Sequence, residues 1–120
     1  MTAQNIDRIV AELIAAYRDG ISVAAEGPRR LIRIAEVELY PTCQPPQTSL
    51  LLVLDVDQPK PQVFVKPGQL LANGRVPKNS SNVLVGGETW MQFSFNIPWA
   101  ENQDIIRFVA AARQRFAQNE

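Results

Sequence analysis

The sequence predicts an α+β fold from three features: an apolar stripe at helical spacing near each end, strand-like runs between them, and a late stretch rich in Pro, Gly, Asn and Ser. The predicted order is an N-terminal helix, an antiparallel β-meander of about four strands, a long loop and a C-terminal helix. All of it is expected to lie in one domain spanning 1–120. A chain of this size buries about two-thirds of the surface its unfolded form exposes.

Ile6, Ile9, Val10, Leu13 and Tyr17 recur on one helical face, with Asn5 as the expected N-cap and Gly20 as the expected stop. The polar residues Asp7, Arg8, Glu12 and Arg18 fall mostly off that face and read as a solvated side. After Gly27-Pro28, Ile32 and Ile34 alternate with Arg33, whereas Val37 and Leu39 alternate with Glu36 and Glu38. The apolar phase therefore slips by one near Ala35, which predicts a bulge. The prolines of Tyr40–Pro46 remove backbone donors and predict a rigid corner.

Leu50–Val56 is apolar except for Asp55, the pattern of a central strand covered on both faces. Val63–Val65 is a shorter strand beyond the turn at Gln58–Pro61. Lys66–Gly87 reads as a long packed loop, interrupted by Leu70, Leu71, Val76 and Val83–Val85. Loops of that length in a small domain tend to carry function, so an activity or its remnant is expected there. From Trp90 to Ile97 residues alternate again, with Trp90 facing opposite to Met91, Phe93 and Phe95. Asp104 opens a last helix striped by Ile105, Phe108, Val109, Ala112 and Phe116.

Composition narrows the classes of function. Lys plus Arg and Asp plus Glu are both 12, so no net field gathers polyanions, and a nucleic-acid partner is not expected. The longest apolar run, Leu50–Leu54, is far short of the roughly 20 residues of a bilayer span, so no membrane span is expected. The Met1–Asp7 start lacks the basic and apolar regions of a secretory signal, which makes the cytoplasm the expected location. One cysteine and no histidine leave the chain without the usual zinc or haem ligands, and no cofactor is expected.

Several short motifs occur together: Pro46-Gln47-Thr48 into Leu50–Val53, Pro59-Lys60-Pro61 into Val63–Val65, Asn73–Pro77, Gly86–Trp90, Phe93-Ser94, and Trp99 before the last helix. In this order, over residues 28–116, the chain resembles a divergent bacterial branch of the ubiquitin-conjugating enzyme superfamily. Proteins of that branch are associated with activating-like enzymes, metalloprotease-type deubiquitinases and ubiquitin-like proteins. The resemblance implies the conjugating-enzyme fold, with a ubiquitin-like protein or an activating-enzyme-like protein as partner.

Where such enzymes carry a His-Pro-Asn motif and then a cysteine, this loop begins Lys66-Pro67-Gly68 and holds no cysteine up to Gly87. Thioester chemistry needs a soft nucleophile that ionises near neutral pH; Ser80 and Ser81 do not qualify, and no histidine stands by as base. The chain is therefore expected to be a non-catalytic binding module. The alternatives are an active conjugating enzyme with its nucleophile moved to Cys43, or a general adaptor or chaperone-like domain. Cys43 otherwise reads as a small apolar filler. Asn73, Asn79 and Asn82 could be read as oxyanion donors but suit turns equally, and Asp55 and Asp57 suit caps better than an acid pair. For partner binding the candidates are Met91, Phe93, Phe95 and Trp99, with core packing as the competing role of these aromatic-rich positions.

Overall fold

The computed structural model describes residues 1–92, 97–100 and 102–117. Helix α1 (Ala3–Tyr17) buries Ile6, Ile9 and Leu13. Its cap is Thr2 and not Asn5: Thr2 Oγ1 accepts the Asn5 N–H at 3.1 Å, and Asn5, inside the first turn, turns its own oxygen to Arg8. The α-helix stops at Tyr17, and Gly20 instead ends the 3₁₀ turn Arg18–Gly20 that follows. Helix α2 (Ile105–Arg115) opens as expected, with Asp104 Oδ1 accepting the Ile106 N–H at 2.9 Å.

Between the helices run β1 (Ile21–Glu26), β2 (Arg29–Glu38), β3 (Gln47–Leu54), β4 (Gln62–Val65), β5 (Ser81–Val85) and β6 (Glu88–Gln92). They pair antiparallel in the order β1-β2-β3-β4-β6-β5, so the described residues hold six strands where about four were expected. Strand β1 has little sequence signature because it is mostly exposed and built on Ser22, Ala24 and Ala25, which leave little apolar pattern. Strand β5 lies inside the stretch predicted as one long loop, which is thereby shortened to 66–80.

The phase slip near Ala35 is a break in the β2–β3 register between Ile34 and Val37, where Glu36 adopts φ 55°. The proline-rich corner closes on itself through Leu39 N–H to Pro46 O at 2.8 Å and Cys43 N–H to Tyr40 O at 2.9 Å.

Alternation gives β3 two apolar faces. Leu50, Leu52 and Leu54 join Ile9, Leu13, Ile34, Val65, Ile105 and Phe108 in the main core under the two helices. Leu51 and Val53 point the other way, into a second cluster with Leu31, Phe64, Val85 and Trp90.

Among the described residues no helix contributes to that second cluster. The β5–β6 hairpin closes it: a Cβ on Gly86 would lie 2.9 Å from Leu31 Cδ1, so the hairpin turn rests on β2, two strands away from β4. Gly86 and Gly87 have φ 59° and 81°, the two-residue turn that only glycine-like conformations permit. The sheet therefore curls, and Trp90, 2% exposed, fills its concave side. Trp90→Ala is expected to lower stability by about 3–5 kcal/mol in urea unfolding; a loss under about 1 kcal/mol would mean that the hairpin does not seal this cluster.

Candidate functional site

The only thiol is 2% exposed. The Cys43 Sγ–H donates to the Phe116 carbonyl at 3.6 Å, just past the end of α2. Burial pushes this thiol up from its ordinary pKa, with a hydrogen bond at the Tyr40 backbone opposing part of the effect. Reactive thiolates sit at helix N-termini or beside cations, whereas this one meets the carbonyl end of a helix, where negative charge is disfavoured.

The backbone nevertheless brings the corner to the long segment. Gln44 and Leu70 form a bridge, with Leu70 N–H donating to Gln44 O at 3.0 Å. Gln69 Nε2 donates to Pro45 O at 2.8 Å and to Leu70 O at 3.1 Å. Two carbonyl acceptors determine the orientation of this amide, since a flip would set oxygen against oxygen. Gln69 is 1% exposed, and its Oε1 is buried with no partner among the described residues. An orphaned buried acceptor costs about 1–3 kcal/mol.

Gln69 lines an open cleft of about 260 Å³ together with Val76, Ser80, Ser81, Asn82 and Met91. The cleft thus lies between the segment after β4 and the start of β5, where the sequence placed an activity or its remnant. The other candidates fall into structural roles. Asn73 Oδ1 accepts the Arg75 N–H at 3.0 Å and Asp55 Oδ1 accepts the Asp57 N–H at 3.0 Å, both local turns, while Asn79 takes φ 55°. Among the described residues no group of three or more His, Cys, Asp or Glu is placed to hold a metal ion.

Met91, proposed as a partner contact, belongs to the main core at 4% exposure, with only its edge on the cleft. Trp99 is half-buried and stacks edge-on against Phe108 with ring centroids 5.3 Å apart. Phe93 and Phe95 lie outside the described residues. The alternation of Trp90 and Met91 is real, but each faces a covered side: Met91 the helices, Trp90 the second cluster.

Above Trp90 sits a charged cluster that sequence spacing does not reveal. Arg33 and Lys66 lie 5.4 and 4.7 Å from its ring centroid, and both pair with Glu88, Arg33 at 3.1 Å. The carboxylate at the hairpin tip thereby ties β6 to β2 and to the end of β4.

Compared with family models, curated proteins and solved structures, the chain matches none of them. No helix among the described residues is long and apolar enough to cross a membrane.

Two outcomes follow from this geometry. Iodoacetamide at neutral pH is expected to leave Cys43 unmodified in the native protein and to alkylate it in denaturant, which mass spectrometry reads directly. The Lys66 hydrogen bond, with the charges of Arg33 and Lys66, holds Glu88 below the usual carboxyl pKa against a smaller desolvation cost. Its stabilisation is therefore complete at neutral pH and is lost as pH falls through the lowered pKa. Glu88→Gln should melt below the wild type at neutral pH, and the two curves should converge in acid.

Proposed function

We propose that this chain is a non-catalytic protein-binding module of ubiquitin-conjugating-enzyme-like type, acting in a bacterial ubiquitin-like modification system. Its partner would be a ubiquitin-like protein or an activating-enzyme-like protein. The observation that carries the reading is the state of Cys43: the only sulfur nucleophile is enclosed in the main core and donates its proton to a helix-end carbonyl. A catalyst that holds its cargo as a thioester needs that sulfur ionised and open to solvent. The helix, antiparallel sheet and helix order supports the fold resemblance, and the sequence motifs of residues 28–116 supply its finer part.

Incubation with a matched activating enzyme, its ubiquitin-like protein and ATP is expected to leave the chain without a reductant-sensitive adduct. The same ubiquitin-like protein, or the activating enzyme, should shift backbone amide resonances of the isotope-labelled chain. An adduct that disappears in Cys43→Ser would overturn the non-catalytic reading. Unchanged spectra at millimolar excess of both partners would overturn the choice of partner.

A further inference from the structure

We propose that the outer edge of β5, with the cleft at its start, accepts an extended segment of a partner protein as an added strand, and that this segment is uncharged in its middle and acidic at one end. The inference rests on the binding-module reading only for the partner being a protein.

The hairpin register determines which groups are on offer. Val85 pairs with Glu88 across the two-residue turn, which makes it a hydrogen-bonded pair; Leu84 with Thr89 and Asn82 with Met91 are then non-hydrogen-bonded pairs. The N–H and C=O groups of Asn82 and Leu84 therefore point away from β6, along the free edge of the sheet. Among the described residues no hydrogen bond meets them.

Edge strands are usually blunted by charge, proline or a covering loop. Strand β5, Ser-Asn-Val-Leu-Val, has no charge or proline, and its Leu84 is 74% exposed. The opposite edge, β1, ends in the Glu26–Arg29 ion pair and packs along α1.

Three features select the occupant. The exposed main-chain groups require a polypeptide in extended form. At the start of the strand, the cleft lined by Gln69, Ser80, Ser81 and Asn82 offers polar side chains and room for the end of such a segment. The exposed Arg75 and Lys78 stand one and two residues from the cleft-lining Val76 and have no ion pair among the described residues, so an acidic side chain complements that end while the strand itself favours uncharged residues.

The probe is an acetylated and amidated peptide of about eight residues, alternating Val and Thr with Asp at one end, compared with a version carrying Lys there. With blocked termini, only the side-chain carboxylates distinguish the two. The Asp peptide is expected to shift the amides of Ser81–Val85, most of all Asn82 and Leu84, and to bind about tenfold more tightly than the Lys peptide at low salt. Leu84→Pro removes an outward N–H without touching the ladder to β6 and should weaken binding by about tenfold. Replacing both Arg75 and Lys78 by Ala, at exposed positions, should erase the preference for Asp over Lys, and this reading does not depend on how Leu84→Pro folds.

Equal affinity of the two peptides, shifts mapping elsewhere, undiminished binding by a folded Leu84→Pro, or failure of any peptide to bind would each overturn the proposal. So would concentration-dependent dimerisation through β5, which would make a second copy the occupant. Binding of the Asp peptide without binding of the ubiquitin-like protein or activating enzyme would leave the strand site standing and remove the partner named above.

Discussion

Strand β3 is apolar on both faces, and two helices can cover only one of them. Leu50, Leu52 and Leu54 are satisfied by α1 and α2, whereas Leu51 and Val53 would face water on a flat sheet. Exposed aliphatic surface of that extent is unfavourable by about 25 cal/mol per Å². The chain meets the constraint by continuing past β4, turning back as a glycine-tipped hairpin and laying Trp90 and Val85 over the uncovered residues. Arg33, Lys66 and Glu88 then close the rim, where stems and charged heads can shield an indole and still meet solvent.

Curling in this way has a structural consequence. A hairpin that folds over a sheet keeps one strand inside, β6 against β4, and must leave the other, β5, outermost. The same demand that hides Trp90 therefore produces an unprotected edge. It also opens the space between β5 and the segment after β4, because residues 66–80 must travel from the end of the sheet to the start of the hairpin. Core packing and candidate site thus share one cause.

How far the sequence discloses this depends on what each residue signals locally. Helical stripes are strong signals, since Ile6, Ile9 and Leu13, or Ile105, Phe108 and Val109, must recur at fixed spacing to reach one core. The slip at Ala35 is equally legible, because a bulge leaves its mark in the alternation itself. Strand β5 leaves no such mark: its inward residues are covered by the hairpin's own curl, so Leu84 is apolar yet exposed, and the surrounding Asn, Ser and Gly imitate a loop. Alternation correctly separates Trp90 from Met91, but period alone cannot show that both faces are covered. Burial of Gln69 has no local signal at all; it follows from the bridge between Gln44 and Leu70, residues 26 apart in the chain.

The buried thiol and the buried amide are neighbours along that bridge, and their contrast separates packing from recognition. Cys43 spends its weak donor on the Phe116 carbonyl, which also accepts the Ala72 N–H at 2.7 Å, so sulfur, helix end and long segment form a satisfied junction. Gln69 satisfies both of its N–H groups and leaves its oxygen unmatched. An apolar side chain here would strand the Pro45 and Leu70 carbonyls, so two hydrogen bonds are kept at the cost of one orphaned acceptor. Packing thus encloses the sulfur at 2% exposure, while the wall of the cleft keeps polar side chains beside the outermost strand.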